Sequence, residues 1–351
     1  MQPPITIGGT RIEAGSQATI QLPLPYLYTH SPTTMPVRVI HGRQSGPCLL
    51  ISSTIHGDEI NGVEIIRRLM GNKTLARLKG TLILIPVVNV FGFVSQSRYL
   101  PDRRDLNRSF PGSPKGSMAA RLANLIMTEI VPRCTHVIDL HTGAVGRENL
   151  PQIRATLDSG AAGLDELAMA FNAPVVLDAP VRQGTFRECV HKAGVPTLVY
   201  EAGEALRFDE VSIRAGVTGS LNIMVHLQMI RKRTRGRAHN PIVAKSSFWV
   251  RASQSGVARS LVPLGARVAA GETLAYISDP FGEHEEAVES PAAGIVIGRA
   301  RLPLVHEGEA IFHIARFSQT RQAAESVENF QDEFDPLTGT SDSDDEPPVI
   351  G

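Results

Sequence analysis

The chain has 351 residues, 42% of them hydrophobic, so it can bury a sizeable core in one large domain or two unequal ones. Lysine plus arginine and aspartate plus glutamate each number 35, and this zero net charge gives no field that would attract nucleic acid or a membrane surface. There is no signal-peptide pattern and no apolar run of membrane-spanning length. Cys48, Cys134 and Cys189 lie far apart in apolar segments. We therefore expect a cytoplasmic protein without disulfides or membrane attachment, and we leave homo-oligomerisation open.

Predicted strands and helices alternate along the first two thirds of the chain. Frequent Pro and Gly in the first 45 residues indicate short edge strands. Helical spacing falls on 61–70, 118–131, 163–171, 184–193 and 209–231. Apolar runs without polar alternation fall on 48–54, 81–90, 135–140, 173–178 and 196–201. Strands of this kind, separated by helices, predict an α/β fold whose mostly parallel or mixed sheet is covered by helices on both faces.

The pattern changes at a basic run, RKRTRGR at 231–237, which we interpret as a solvated helix end and linker. Beyond it, two segments share a glycine followed within two residues by valine and a V-x-x-G-E-x-L/I-x-x-I end, which indicates a weak internal repeat of strands. From about Ser318 the chain is acidic and polar and has little to bury. We predict a main α/β domain at 1–238, a small all-β, barrel-like domain at 239–317 and a disordered acidic tail at 318–351.

Side chains with metal-binding and acid–base chemistry follow several of the predicted strands where each strand ends. His56 and Glu59 come after 48–54 and are three residues apart, so both can face one point. His141 and Glu201 come at the ends of later strands, and ligands bind open α/β sheets at the carboxyl ends of the strands. Two histidines and one carboxylate are a ligand set of catalytic zinc, with a fourth position open for water. The sequence therefore predicts one Zn²⁺ per chain at this edge.

Four motifs in combination resemble the succinylglutamate desuccinylase and aspartoacylase family, a branch of the zinc carboxypeptidase superfamily. They are H-G-D-E-x-N-G, D-L-N-R-S-F-P-G, D-L-H-T-G and Y-E-A-G-E, and the similarity covers about residues 35–230. The resemblance implies a zinc carboxypeptidase-like fold for the main domain, which would then be catalytic. It also implies zinc ligands at His56, Glu59 and His141 and a catalytic glutamate at Glu201.

The same resemblance implies residues that contact the substrate. Asn107 and Arg108, on the long loop after 81–90, match the pair that holds a substrate carboxylate. An upstream arginine polarises the scissile carbonyl in this family, and Arg98 is its best match. Because the stretch after Arg98 is slightly longer than in aspartoacylase, Arg103 or Arg104 could take that role instead.

The C-terminal β segment resembles the biotinyl/lipoyl hammerhead barrel, which this family carries after its catalytic domain. Such barrels present a modifiable lysine when they act as swinging arms, and this chain has no lysine after Lys245. We therefore interpret the segment as a capping domain. His284, His306 and His313 are interpreted as ordinary barrel or loop residues.

The function that the resemblance implies is zinc-dependent hydrolysis of the amide bond of a small N-acylated amino acid. Glu201 would take the proton of the attacking water, and Arg98 would stabilise the oxyanion. Arg154 is a candidate for binding a second acidic group of the substrate, with a solvated surface arginine as the alternative. Two other functions stay open: a zinc carboxypeptidase that trims peptides, which a capping domain disfavours, and a non-catalytic zinc-binding module, which the presence of Glu201 disfavours.

Overall fold

The computed structural model describes residues 2–157, 163–231 and 241–334. The first ten strands are β1 (Ile5–Ile7), β2 (Thr10–Ile12), β3 (Ser16–Pro23), β4 (Thr34–His41), β5 (Gln44–Ser53), β6 (Lys79–Ile85), β7 (His136–Gly143), β8 (Arg147–Ala155), β9 (Val175–Asp178) and β10 (Thr197–Glu204). The remaining described strands are β11 (Ile242–Ala244), β12 (Ser246–Arg251), β13 (Gly256–Ser260), β14 (Arg267–Val268), β15 (Thr273–Ser278), β16 (Glu285–Glu289), β17 (Gly294–Ala300), β18 (Leu304–Val305) and β19 (Ala310–Arg316). The α-helices are α1 (Asn61–Met70), α2 (Val90–Val94), α3 (Met118–Glu129), α4 (Leu164–Phe171), α5 (Phe186–Lys192), α6 (Glu210–His226) and α7 (Thr320–Phe334).

Thirteen of the described strands form one mixed sheet. Its main path runs β12-β19-β17-β8-β10-β7-β5-β6-β4-β3, with β9 and β11 continuing from β8 and β14 beside β17. At the centre, β6, β5, β7 and β10 are all parallel, whereas β8 and the strands beyond it on the main path pair antiparallel. A separate antiparallel sheet has the order β16-β15-β13-β18. The predicted α/β class with a mixed sheet is confirmed.

Helices cover both faces of the central strands because successive strand residues point to opposite sides. Ile51 of β5 lies in a core with Ile65 of α1 and Ile213 of α6. Its neighbour Leu50 lies in the core on the other face, with Leu122 of α3. In the part of the chain that the structure describes, no helix is long and apolar enough to span a membrane. The three cysteines are free and buried, as expected.

Two central elements differ from the sequence prediction. The strand predicted at 81–90 ends at Ile85, where Pro86 lacks a backbone N–H, and Asn89 then caps α2 by accepting a hydrogen bond from the Gly92 backbone N–H. Strand β8 is missing from the prediction because Pro151 interrupts its apolar run, although proline is rare inside a sheet. The predicted helices correspond to α1, α3, α4, α5 and α6.

The weak internal repeat corresponds to a structural repeat. Its first half forms β13, β14 and β15, and its second half forms β17, β18 and β19. The short strands are exchanged between the halves, since β14 pairs with β17 and β18 pairs with β13. Strand β17 also pairs with β8, so the C-terminal strands extend the main sheet. The predicted domain boundary at 238/239 lies outside the described residues.

The prediction of disorder from Ser318 onward is wrong for residues 320–334, which form helix α7. Ala323, Val327, Phe330 and Phe334 are buried along it and lie on one helical face. The many acidic and polar residues between them hid this spacing in the sequence. The rest of the predicted tail, 335–351, lies outside the described residues.

Candidate metal centre and active site

A tight turn between β5 and α1 positions His56 and Glu59. Thr54 enters the turn with φ of 59°, a rare conformation for a β-branched residue, and its hydroxyl donates to the backbone carbonyl of Glu59 at 3.2 Å. Gly57 passes so close to the start of α2 that an added Cβ would lie 2.0 Å from the carbonyl carbon of Gly92. A glycine between His56 and Glu59 is therefore required for the backbone to pass.

The structure brings the three predicted zinc ligands together in a buried cluster. His56 Nδ1 lies 2.6 Å from Glu59 Oε1, and His141 Nδ1 lies 2.7 Å from Glu59 Oε2. One donor atom from each residue falls within 4.8 Å of the others. These three residues are the one such group of histidine, cysteine and acidic side chains within residues 2–157, 163–231 and 241–334.

The far nitrogen of each histidine faces a carboxylate. His141 Nε2 lies 2.7 Å from Asp139 Oδ2, and Asp139 also accepts a hydrogen bond from the Ser52 hydroxyl at 2.8 Å. His56 Nε2 lies 3.3 Å from Asp105 Oδ1 but makes no hydrogen bond. A proton on Nε2 leaves the Nδ1 lone pair free to bind a metal, and carboxylates behind metal-binding histidines have this orienting role. The donor set and its surroundings therefore fit a divalent metal such as zinc.

Mutual attraction outweighs the cost of burying charge in this cluster. Burial favours the neutral acid, yet His56 and His141 hold the pKa of the Glu59 carboxyl well below its usual range. Burial also disfavours imidazolium, yet Asp139 and Glu59 raise the pKa of His141 well above its ordinary value. Glu59 and Asp105 raise the pKa of His56 in the same way. The cluster is thus built to hold positive charge around one carboxylate.

Glu201 lies next to this cluster, on β10. It pairs in register with His141 on the parallel strand β7, and both line a cavity of about 290 Å³. Its Oε2 accepts a hydrogen bond from Asn149 Nδ2 at 2.9 Å, and its Oε1 lies 3.5 Å from Arg154 Nη1. Arg154 is therefore not a solvated surface residue, because it lines the cavity and contacts Glu201.

The predicted carboxylate-binding pair, Asn107 and Arg108, also lines the cavity. Asn107 Oδ1 accepts a hydrogen bond from the backbone N–H of Phe186 at 2.9 Å, which leaves the Asn107 amide N–H groups for a ligand. Arg108 donates to the Asn107 backbone carbonyl at 2.6 Å and also lines the cavity. Partial burial lowers the pKa of Arg108, an effect that Asp105 opposes and Arg182 reinforces.

Arg98 is better placed than Arg103 or Arg104 to reach a substrate. Arg98 is half-buried, lines the cavity and lies 3.4 Å from Glu59 Oε1 and 3.0 Å from Asp105 Oδ2. Arg103 and Arg104 are exposed and do not line the cavity.

Several residues of the site escaped the sequence analysis. Asp139 carried a usable signal, because it lies two residues before His141 and shares its face of a strand. Arg182 and Arg187 line the cavity from the β9–α5 segment, where no sequence pattern marked them. Trp249 of β12 also lines it, and Arg147 lies 5.3 Å from the Trp249 ring centroid. These residues come from distant segments, which only the fold brings together.

The C-terminal histidines take no place in the cavity wall. His284 and His306 are exposed. His313 is buried, and its ring stacks on Trp249 with centroids 4.3 Å apart. Burial lowers the pKa of His313 to about 3, with a contribution from Arg154, so it stays neutral at physiological pH.

A larger cavity of about 1360 Å³ opens at the opposite edge of the sheet, near the starts of β5 and β6. Gln44, Lys79 and Arg231 are among the residues that line it. No aspartate or glutamate contributes to its wall among the residues that the structure describes. Although it is larger, this wall therefore offers no carboxylate, among the described residues, that could bind a metal or act as a base. The candidate active site is the smaller cavity around His56, Glu59 and His141.

Comparison with known proteins points to one family. The pattern of the succinylglutamate desuccinylase/aspartoacylase catalytic domain matches residues 45–227. N-alpha-acetyl-L-2,4-diaminobutyric acid deacetylase of Halomonas elongata is 28% identical over 295 residues, which cover 80% of this chain and 85% of the relative. A crystal structure of a succinylglutamate desuccinylase/aspartoacylase from Rhodobacter sphaeroides is 26% identical, with a TM-score of 0.78 over 86% of this chain and 95% of the other.

A second solved structure has the same fold. The ectoine utilization protein EutE (DoeB) of Ruegeria pomeroyi, solved with bound product, has a TM-score of 0.79 and 23% identity, over 89% of this chain and 98% of that one. The sequence match includes the turn with His56 and Glu59, the loop with Asn107 and the strand with Glu201. The chain belongs to the succinylglutamate desuccinylase/aspartoacylase family.

Proposed function

We propose that the protein is a zinc-dependent deacylase that hydrolyses the amide bond of a small N-acylated amino acid. The observation that carries the proposal is the convergence of a metal-binding cluster and an accessible carboxylate on one cavity. His56, Glu59 and His141 would hold the metal, and Glu201 shares the cavity with them. A non-catalytic module would not need a carboxylate at that position.

A zinc ion bound to this cluster would lower the pKa of a water molecule and polarise a carbonyl group. Glu201 would accept a proton from the attacking water and deliver it to the leaving nitrogen. Arg98 would stabilise the negative charge that develops on the carbonyl oxygen. Asn107 and Arg108 would bind a substrate carboxylate through charge-assisted hydrogen bonds, which orients the amide for attack.

The charge of the cavity supports a substrate with more than one acidic group. Arg147, Arg182 and Arg187 line it, and none of them forms an ion pair with a carboxylate in the described part of the chain. Arg187 also has a buried Nη1 without a hydrogen-bond partner. These positive charges would favour an extra carboxylate on the acyl group or the amino acid side chain. They would disfavour a substrate with a second amino group, such as the one in the name of the Halomonas elongata relative.

The size of the cavity supports a small substrate. Its volume of about 290 Å³ is at the lower end of the range for small-molecule sites, roughly 300–1,000 Å³. Trp249 forms part of the wall from the C-terminal strands. A carboxypeptidase must also seat the rest of a peptide, so the small volume favours a single acylated amino acid over a peptide.

The test combines metal content with amine release. Purified protein would be stripped of metal, reconstituted with zinc and incubated with N-acetyl and N-succinyl derivatives of acidic amino acids. We expect about one zinc per chain and amine release that depends on it, with both lost in His141→Ala. Equal amine release by the stripped protein, or less than half an equivalent of zinc after reconstitution, would contradict the proposal.

A further inference from the structure

Asn149 lies on β8, the strand between β10, which carries Glu201, and β17 of the C-terminal strands. It is buried on β8, where its Nδ2 donates a 2.9 Å hydrogen bond to Glu201 Oε2. The other oxygen of Glu201 lies 3.5 Å from Arg154 Nη1, which is longer than a normal charge-assisted hydrogen bond. The neutral amide of Asn149 is therefore the closer of the two partners of the Glu201 carboxylate.

Gly298 of β17 lies against the other side of the same amide. It pairs with Asn149 across the antiparallel β17–β8 ladder and with His313 across β17–β19. A Cβ added at Gly298 would lie 2.9 Å from Asn149 Oδ1 and 3.3 Å from His313 Cβ. The Asn149 amide is the end of a short side chain and would give way before the backbone, so a methyl group at Gly298 would push it.

We infer that Asn149 is a positioning residue for Glu201, and that the C-terminal strands set its position through Gly298. The inference rests on the proposed role of Glu201 as the base. Without the Asn149 hydrogen bond, the Glu201 carboxylate is free to rotate and form a closer ion pair with Arg154. A carboxylate in that position points away from the attacking water, and misplacement of a reacting group by about 1 Å can lower a rate about 100-fold.

This arrangement gives the C-terminal strands a catalytic consequence besides forming a wall of the cavity. The chain of effects is short: Gly298, having no Cβ, leaves the space beside the Asn149 amide, and Asn149 orients Glu201. No side chain of the C-terminal strands needs to touch the substrate for this effect. The metal-binding cluster is not part of this chain of effects, so metal content should not respond to changes at Gly298 or Asn149.

The test is a double-mutant cycle on the zinc-loaded full-length enzyme. Asn149→Ala, Gly298→Ala and the double variant would be compared with wild type for kcat, KM and zinc content. We expect each single variant to lower kcat, by about 10-fold or more for Asn149→Ala, with KM changed less than about 2-fold. Once Asn149 is alanine, the methyl group at position 298 has no amide to push, so the double variant should be no slower than Asn149→Ala.

Ala300→Ser is the matched control, because Ala300 lies on the same strand but pairs with residue 147 rather than Asn149. It should keep wild-type kcat. If Asn149→Ala does not fold, Asn149→Leu replaces it in the single-variant comparison of kcat, since leucine is similar in size to asparagine and cannot donate to Glu201.

Two results would overturn the inference. One is full multiplicative loss in the double variant, which would mean that the two positions act independently. The other is a raised KM with unchanged kcat, which would place Asn149 in substrate binding.

A Glu201→Gln enzyme separates this inference from the proposed function. Full turnover in Glu201→Gln overturns the base assignment and the inference with it, whereas an inactive Glu201→Gln beside a fully active Asn149→Ala overturns the inference alone.

Discussion

Glu201 of β10 and His141 of β7 lie directly beside each other on adjacent parallel strands, in register. A shift of that register by one residue would turn Glu201 to the opposite face of the sheet, away from His141. The register is secured by Tyr200, which is buried on that opposite face and donates a hydrogen bond from its hydroxyl to the backbone carbonyl of Ser212 at 2.8 Å. The position of the proposed base beside the metal-binding cluster is therefore a property of the sheet.

Glu201→Gln should abolish turnover and leave zinc content and thermal stability close to wild type. The amide has the same shape as the carboxylate but cannot accept the proton of the attacking water, and loss of general-base catalysis costs typically about 10²–10⁴-fold. The measurement is kcat on an N-acyl amino acid, with zinc determined on the same sample.

Glu204→Gln is the control for this variant. Glu204 is buried three residues further along β10, where it accepts a hydrogen bond from the Gly146 backbone N–H at 2.9 Å, and it does not line the cavity. Its variant should keep turnover. If Glu201→Gln keeps its activity and Glu204→Gln loses it, the base is Glu204 and not Glu201.

Asp139→Asn should weaken zinc binding by about 10- to 100-fold, the usual effect of removing a carboxylate behind a metal-binding histidine. Asp139 accepts hydrogen bonds from His141 and Ser52, and the asparagine keeps the shape but loses the charge. Competition with a chelator measures the zinc affinity, and Ser52→Ala, which leaves the carboxylate in place, should have a smaller effect. Unchanged affinity in Asp139→Asn would argue that His141 is not held by this contact.

The sequence predicted the parts of the site that lie at strand ends and in short motifs. His56, Glu59, His141 and Glu201 are each close in the chain to a recognisable apolar run, and a parallel sheet brings such ends to one edge. Asn149 could not be found in this way. It lies on β8, whose central proline hid the strand, and its partner Gly298 is about 150 residues away in the sequence, in a segment predicted as a separate domain.

Helix α7 escaped prediction for a different reason. Its apolar residues are few and widely spaced, and acidic composition suggested that the segment had nothing to bury. Phe330 and Phe334 instead join the core under α6, with ring centroids 4.7 Å apart. Burial of this helix depends on surfaces formed by α6 and by the strands β11, β14 and β17. The composition of the segment gives no information about those surfaces.

Arg187→Met should reduce kcat/KM for N-acyl derivatives of aspartate or glutamate more than for those of neutral amino acids. Arg187 lines the cavity with a buried, unpartnered Nη1, so a substrate carboxylate would gain a charge-assisted hydrogen bond there that a neutral side chain cannot make. We expect a loss of about 10-fold or more for the acidic substrates. Lys192→Met, on the exposed side of the same helix, is the control, and an equal loss for both substrate classes in Arg187→Met would refute the charge argument.

His313→Gln should make the stability of the protein less sensitive to mild acid. Burial lowers the pKa of His313 to about 3 in the folded state, whereas an unfolded histidine has a pKa of about 6.5. Below that value the unfolded chain binds a proton that the folded chain does not, so the free energy of unfolding falls as the pH falls, by up to about 1.4 kcal/mol per pH unit.

Chemical denaturation at pH 7, 6 and 5 would measure this effect. The loss of unfolding free energy between pH 6 and pH 5 should be smaller in His313→Gln than in wild type by about 1 kcal/mol. Parallel curves for the two proteins would show that His313 is protonated in the folded state, contrary to its burial under Trp249.

The measurement that bears most directly on the proposed function compares single acylated amino acids with peptides. Values of kcat/KM would be determined at matched zinc occupancy for N-acetyl and N-succinyl amino acids and for blocked tripeptides with the same C-terminal residue. If the cavity closes around a single acylated amino acid, the acyl amino acids should be cleaved at least about 100-fold better, because a peptide cannot seat its scissile bond correctly. Faster cleavage of the peptides would identify a carboxypeptidase, and cleavage of neither by the zinc-loaded protein would contradict a catalytic function.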